Sequence, residues 1–206
     1  MAEYLSVSDE SSVERVIEKS RFITYCKHVE NEEEAKAFLG ILHSEHPLAT
    51  HICYAYICDK VGNFVRFSDD GEPQGTAGMP ILGVIKAKKL FETLVAVVRY
   101  FGGIKLGAGG LTRAYASCAA EGVNGAEVVL FDICTEIAVG VAYPDVKTLT
   151  RFAEGKTVTG REYAEKTVFC FRVRESEEEA FIAAVQNEFR GRAKIEKRGK
   201  GYYPCE

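Results

Sequence analysis

The sequence has 206 residues, of which 47% are hydrophobic and 27% charged, and its formal net charge is −4. This is the composition of an ordinary globular protein, and it excludes a disordered or low-complexity chain. The longest apolar runs have the length of a strand, and no basic segment precedes an apolar one at the start, so the sequence predicts neither a membrane span nor a secretion signal.

The first half of the sequence alternates strand and helix patterns. Asn31 precedes three glutamates, which predicts a helix start, because an asparagine cap and nearby acids suit the positive end of a helix. In chain order we predict strands at residues 21–29, 51–58, 64–69 and 93–101, the last one buried on both faces, and helices after Asn31, from about Gly78 to Lys89, and from Leu111.

The pattern changes after Asn124 and Gly125. The following residues predict a β-α-β-β-α-β order, which is the split ferredoxin-like pattern. Ser176 and Glu179 have the spacing of a capping box at the start of the second helix of this half. We therefore predict an α+β protein with two domains, residues 1–126 and 127–206. The predicted strands span residues 128–143, 158–163, 167–174 and 193–203, and the helices residues 144–153 and 177–189.

The seven cysteines indicate a compartment rather than a site. Their number is odd, their spacing is irregular, and no Cys-x-x-Cys pair occurs, so the sequence predicts neither a zinc ribbon nor a thioredoxin-like pair. We interpret them as free buried thiols in a reducing cytoplasm.

Two basic stretches lie beneath the negative net charge. Residues 86–113 and residues 190–200 each contain six basic residues and one acid. Such clusters are typical of a surface that binds nucleic acid. The alternative is a solvated strand edge and helix face, since lysines on edge strands discourage aggregation. The predicted nucleic-acid contacts in the second stretch are Lys194, Lys197, Arg198 and Lys200.

A glycine-rich segment at residues 102–110 follows the apolar strand and precedes a helix. Backbone N–H groups at a helix start favour a phosphate or carboxylate, and nearby Lys105 and Arg113 add positive charge. The segment matches neither a P-loop nor a dinucleotide fingerprint, and a tight turn is the alternative interpretation. The candidate ligand-binding residues are Arg99, Tyr100, Gly102, Gly103, Lys105, Gly107, Gly109, Gly110, Leu111 and Arg113.

Asp69, Asp70 and Glu72 place three carboxylates within four positions. They could bind a divalent cation, act as acid–base groups, or form a polar turn whose side chains accept hydrogen bonds from nearby backbone N–H groups. No other cofactor is indicated. Arg99 ends the buried strand, where it could form a buried pair with Asp69 or Asp70 or face a ligand cleft.

His51 and Cys53 are two residues apart on one predicted strand and therefore share a face. In an extended strand the two side chains are too far apart for a direct hydrogen bond, and two residues do not make a metal site. We interpret them as residues that line the core or a cleft.

Three segments of the sequence resemble the YigZ/IMPACT family. They are KSRFI at residues 19–23, FSDDGEP at 67–73 with GTAG at 75–78, and VRYFGG at 98–103 followed by LG at 106–107 and GGL at 109–111. The resemblance covers about residues 15 to 120 through these motifs and the rest through domain order.

The resemblance implies an N-terminal domain like the second domain of small-subunit ribosomal protein five and a C-terminal domain like the fifth domain of elongation factor G. Both relatives belong to the translation machinery and contact RNA. Eukaryotic members regulate translation by competing for the activator of an initiation-factor kinase, partly through a domain that this sequence lacks. Peptidase activity has been attributed to some bacterial members, but no peptidase signature is present here.

Two functional hypotheses follow. The first is a cytoplasmic, translation-associated regulator that contacts RNA or a ribosomal or translation-factor partner through the glycine segment and the basic clusters. The second is an enzyme that acts on a small phosphorylated or carboxylated substrate between the two loops. In the enzyme, Arg99 would stabilise developing charge, and Asp69, Asp70 or Glu72 would be the base or a metal ligand.

Overall fold

The computed structural model describes residues 3–205. Its contacts divide the chain into two compact units, residues 4–130 and residues 131–205, which we call the N-terminal and C-terminal units. In the part of the chain that is described, no helix is long and apolar enough to cross a membrane.

The N-terminal unit is a five-stranded antiparallel sheet with the order β2-β3-β6-β4-β5, covered by helices on both faces. The strands of this sheet are β2 (Ser11–Ile17), β3 (Ser20–His28), β4 (His51–Ile57), β5 (Val65–Ser68) and β6 (Thr93–Tyr100), and the helices are α1 (Glu32–Glu45), α2 (Gly78–Ala87) and α3 (Gly107–Gly125). A further short strand, β1 (Tyr4–Val7), is not part of this sheet.

The two apolar faces of the sheet explain its position between helices. Side chains from α2 and α3 pack with one face of β6, and side chains from α1 pack with the other. The predicted burial of β6 on both faces is confirmed, since its first seven residues are buried. The predicted cap is also confirmed, because the Asn31 side chain accepts a 2.9 Å hydrogen bond from the Glu34 N–H.

The sequence analysis missed β1 and β2 and began α3 too late. Most side chains of β2 are exposed or half-buried, so this edge strand lacks the apolar alternation that would reveal it. Helix α3 begins at Gly107, four residues before the predicted start at Leu111. Residues 107–110 are exposed or half-buried and include three glycines, which are poor helix formers, so the first turn of α3 lacks both the apolar pattern and the propensity that would predict it.

Strands β2 and β3 are joined by a two-residue turn at Glu18 and Lys19. Both residues have positive φ angles, 45° and 61°, and Ile17 pairs with Ser20 across the turn. Positive φ at both central positions is the geometry that matches the twist of a tight hairpin.

The C-terminal unit follows the predicted β-α-β-β-α-β order, and the α+β fold class is confirmed. Strand β7 pairs with β9 and β10, and β9 pairs with β8. Apolar side chains of β7 and β9 pack against both helices. The elements are β7 (Val128–Val141), α4 (Val146–Phe152), β8 (Val158–Tyr163), β9 (Thr167–Arg174), α5 (Glu178–Glu188) and β10 (Lys194–Cys205).

The predicted capping box at α5 is wrong. A 3-10 turn at Glu175–Glu177 comes first and contains Ser176, so the position before the helix is occupied by Glu177, and no side chain caps it.

Candidate functional site

The two motif loops leave the N-terminal sheet at the same end. His51 at the start of β4 pairs with Arg99 near the end of β6, and Ser68 at the end of β5 pairs with Tyr54. Strands β5 and β6 both pair antiparallel with β4, which lies between them, so they run in the same direction. The acidic loop (residues 69–77) and the glycine segment (residues 102–110) therefore begin at the same end of one sheet.

A buried ion pair joins the acidic loop to β6. The Arg99 guanidinium donates a 2.5 Å hydrogen bond to the Glu72 carboxylate, and both side chains are about 95% buried. The Tyr115 hydroxyl on α3 donates to the same carboxylate oxygen at 2.8 Å. Of the two options given for Arg99 from the sequence, a buried pair or a ligand cleft, the structure shows a buried pair, but the partner is Glu72 and not Asp69 or Asp70.

The other contacts of Arg99 tie it to β3. A second guanidinium nitrogen donates to the Ser20 hydroxyl at 3.2 Å, and the Gly102 N–H donates to that same hydroxyl at 3.2 Å. The guanidinium also lies near the rings of Phe22 and Phe101, with centroids at 5.3 and 5.5 Å. Its Nε is buried and has no hydrogen-bond partner within residues 3–205. Arg99 thus connects three segments that are distant in the sequence.

Asp69 shapes the acidic loop and caps α2. Its carboxylate accepts hydrogen bonds from the N–H groups of Gly75, Ala77 and Gly78 at 2.8–2.9 Å. Burial by itself raises the pKa of Asp69, but these three hydrogen bonds outweigh it and hold the pKa below its usual value. This geometry favours the polar-turn interpretation.

We expect Asp69→Asn to destabilise the N-terminal unit by about 1–2 kcal/mol at neutral pH, as loss of a charged helix cap does. Because folding lowers the pKa of Asp69, its stabilisation is complete above the usual aspartate pKa of about 4 and is lost as the pH falls through the lower folded value. Urea unfolding at neutral and acidic pH should show a difference between wild type and variant that disappears in acid.

The matched control is Asp9→Asn, at an exposed position. This variant should have the wild-type urea midpoint at neutral pH. A difference between wild type and Asp69→Asn that persists unchanged in acid would contradict the role of the ionised carboxylate.

Asp70 and its neighbours hold the acidic loop against β4. The Asp70 carboxylate accepts a 2.6 Å hydrogen bond from the Ile52 N–H, and the backbone carbonyl oxygen of Asp70 lies 2.7 Å from His51 Nδ1. The Cys53 thiol donates to the Asp69 carbonyl at 3.0 Å, and burial raises the pKa of Cys53 to about 12. His51 and Cys53 therefore line the underside of the loop.

The three carboxylates of the acidic loop point in different directions, towards α2, β4 and β6. Between residues 3 and 205, no group of three or more His, Cys, Asp or Glu side chains is arranged to hold a metal ion. The interpretation of the loop as a cation site gains no support from this geometry.

The glycine segment needs its glycines at particular positions. A Cβ at Gly102 would lie 1.9 Å from the Lys19 carbonyl oxygen, and Gly103 and Gly107 have φ angles of 87° and 69°. Because α3 begins at Gly107 after the cap residue Leu106, the N–H groups of residues 107–109 have no partner within the helix, and Gly110 is the first residue whose N–H can bond back to the cap. Leu111 is the fifth helical residue, and its side chain is buried in the core, so it does not belong to this set.

Charge near the glycine segment comes from Lys105 and Arg113. Both are exposed, and neither has an acidic partner among the residues that the structure describes. Lys88 of this basic stretch lies elsewhere, since it donates to Asn124 at the far end of α3, ~25 Å along the helix from Gly107. Residues 86–113 therefore do not form one basic surface.

The second basic cluster is paired with acids. Within the C-terminal unit, Lys197 contacts Glu178, Lys200 contacts Glu175, Arg198 lies 2.9 Å from Glu162, and Lys194 lies 3.8 Å from Glu196. Exposed ion pairs add little stability, but each acid cancels local positive potential. The predicted role of this cluster in binding nucleic acid remains a prediction.

Three contributors to the site were not named as site residues from the sequence. Ser20 and Tyr115 complete the Arg99–Glu72 network, and the Thr50 hydroxyl accepts a 3.0 Å hydrogen bond from the Phe101 N–H. Ser20 lies inside the first motif that resembles the family, which was the available signal. Tyr115 lay on the apolar stripe of a predicted helix, where a core residue is the expected interpretation.

Comparisons with known proteins agree with the motifs. A family model described as the Impact N-terminal domain matches residues 18–123, just over half of the chain. The chain is 48% identical over 126 residues to a protein described as IMPACT family member YvyE, from Bacillus subtilis, and this match covers 61% of the chain and 58% of that protein.

Two further matches extend this result. The "IMPACT family member in pol 5′region" of Thermus thermophilus is 48% identical over 131 residues, covering 64% of the chain and 70% of that protein. A solved structure described as that of a hypothetical protein has a TM-score of 0.64 at 29% identity, over 97% of this chain and 98% of that one. The likeness in fold thus spans almost the whole chain.

Proposed function

Because the chain belongs to the IMPACT family, we propose that it is a translation-associated regulatory protein whose N-terminal unit binds RNA phosphates at the start of α3. The role in translation is the one that the motif resemblance implies. A cytoplasmic location and a partner in the translation machinery belong to the same proposal.

The observation that carries the proposal is the start of α3. N–H groups of residues 107–109 are left without helical partners at the positive end of a 19-residue helix, with Lys105 and Arg113 nearby in the sequence. The buried Glu72–Arg99–Tyr115 network behind the segment keeps it in place without using either exposed charge. A preformed, unpaired positive surface is what a phosphate backbone requires.

The same surface carries exposed apolar side chains. Phe101 and Ile104 are 44% and 37% exposed, and both lie in the loop that precedes α3. An aromatic ring near exposed basic side chains offers a stacking surface for an unpaired base, which favours a single-stranded RNA over a duplex.

The contacts within the acidic loop weigh against the enzyme hypothesis. An enzyme would need Asp69, Asp70 or Glu72 as a base or metal ligand, yet each carboxylate already accepts a hydrogen bond from the protein. Arg99, which would stabilise developing charge, is buried in the pair with Glu72.

The test compares two double variants that each remove two positive charges. Lys105→Ala with Arg113→Ala removes the unpaired charges, and Lys197→Ala with Lys200→Ala removes charges that are paired with acids. We expect the first to weaken binding of a single-stranded RNA, measured by fluorescence anisotropy, at least about tenfold at low salt, and to flatten the salt dependence by about one to two units in log–log slope. The second should change affinity by less than about threefold.

The outcomes separate clearly. Undetectable binding of the single-stranded RNA by the wild type at low salt would overturn the proposal, as would equal losses in the two double variants. Melting temperatures of both variants serve as the folding control, and exposed positions of this kind should leave them close to wild type.

A further inference from the structure

Two cysteine thiols are in contact inside the C-terminal unit. The sulfur of Cys134 on β7 lies 3.6 Å from the sulfur of Cys205, the last residue of β10. Cys134 is buried and Cys205 is partly exposed. The two strands pair with each other, so the contact is part of the sheet. Formation of an S–S bond requires the two sulfurs to approach by about 1.5 Å, within the reach of side-chain rotation.

The surroundings of the two sulfurs are chemically unequal. Arg174 on β9 is opposite Cys134 in the strand register, and a hydrogen bond with the Cys205 side chain raises the pKa of the Arg174 guanidinium. Burial raises the pKa of Cys134, which keeps that sulfur in the neutral thiol form. Cys205, the more exposed of the two, is the sulfur that an oxidant can reach, and Cys134 is the neighbouring thiol placed to resolve the product.

We propose that Cys134 and Cys205 form a reversible oxidation site that closes to a disulfide with hydrogen peroxide as the oxidant. The Cys205 sulfur attacks one peroxide oxygen, the O–O bond breaks, the thiol proton leaves with the second oxygen, and sulfenic acid and water form. The Cys134 sulfur then attacks the sulfenic sulfur, its proton leaves with the departing hydroxyl group as water, and the S–S bond forms. Two thiols and one peroxide give one disulfide and two waters.

The disulfide would fasten the last strand of the unit to its first. Strand β10 carries the four paired basic residues of the second cluster, so oxidation would fix the strand from which Lys197 and Lys200 reach their acidic partners. A thiol reductant would reverse the change, since the bond forms and breaks by thiol–disulfide exchange.

Cys170 provides a matched comparison on a neighbouring strand. Its sulfur also lies beside a guanidinium, with Arg198 Nη1 at 3.2 Å, but it faces that arginine instead of a second thiol. The Cys170→Ser variant therefore removes a cysteine from the same unit without touching the proposed pair.

The test treats the full-length reduced protein with hydrogen peroxide and maps its peptides by mass spectrometry, with thiol counting in parallel. We expect two of the seven thiols to be lost together, in one intramolecular Cys134–Cys205 linkage that dithiothreitol reverses, both in wild type and in Cys170→Ser. In Cys134→Ser, dimedone should trap the Cys205 sulfenic acid that no longer has a resolving thiol.

Three results would overturn the proposal. The first is that Cys134 and Cys205 stay reduced in wild type while other thiols oxidise. The second is that Cys205 proceeds to the sulfinic acid although Cys134 is present. The third is that Cys170→Ser abolishes the linkage. Because peptide mapping of the wild type decides the first two, the test stands even where a serine variant folds poorly.

Discussion

Glu72→Ala should lower the free energy of unfolding of the N-terminal unit by about 3–5 kcal/mol, the usual cost of removing one partner from a buried ion pair. The variant leaves the Arg99 guanidinium buried without its counter-charge and takes away the acceptor of the Tyr115 hydroxyl. The pair itself is no large source of net stability. The cost arises because the charge of Arg99 stays inside after its partner is gone.

Urea unfolding of the purified variants measures this effect. The matched control is Glu121→Ala, which breaks a pair with Arg15 in which both side chains are nearly half exposed, and its expected cost is below about 1 kcal/mol. If Glu72→Ala unfolds within about 1 kcal/mol of wild type, the site tolerates an unpaired Arg99, and the network does not fix the loops as described.

Gly102→Ala should be the second strongly destabilising change, by at least about 2 kcal/mol. The new Cβ would lie 1.9 Å from the Lys19 carbonyl oxygen and 2.5 Å from the Ser20 nitrogen, which are backbone atoms that no rotamer change can move aside. The β2–β3 turn and the glycine segment must therefore separate, and the Ser20 hydroxyl would lose its contact with the Gly102 N–H.

Gly109→Ala is the control for this variant, because it adds the same methyl group to another glycine of the glycine segment. A Cβ at Gly109 would meet its nearest neighbour, the end of the Arg113 side chain, at 3.5 Å, which is an ordinary contact. Gly109→Ala should keep or raise the melting temperature, since alanine is the better helix former. Equal melting temperatures for Gly102→Ala and wild type would show that the two backbones can move apart at little cost.

The sequence predicted best the secondary-structure elements that are specified by their own residues. Strand β6 and helix α1 were predicted because their apolar patterns and the Asn31 cap are local signals. The partner of Arg99 was not local in this sense. Asp69 and Asp70 are the first carboxylates after β5, but the tight loop directs both to backbone N–H groups, and Glu72 is left to reach Arg99.

The charge analysis had a similar limit. Residues 190–200 contain a single acidic residue. The acids that pair with Lys197, Arg198 and Lys200 belong to α5, β8 and the turn before α5, respectively. Which positive charges remain unpaired is a property of the folded chain. Only the fold separates Lys105 and Arg113, which have no acidic partner in the described part of the chain, from Lys194, Lys197, Arg198 and Lys200, which have one.

The turn at Glu18 and Lys19 has a practical consequence for labelling the protein. Both residues are exposed and join two strands of an edge hairpin, which makes the turn look like a natural place to graft a tag or a fluorophore loop. The Lys19 carbonyl, however, occupies the space beside Gly102, so a segment inserted at this turn would disturb the glycine segment. Gly155, with open space around it in the C-terminal unit, is the better position for such a graft.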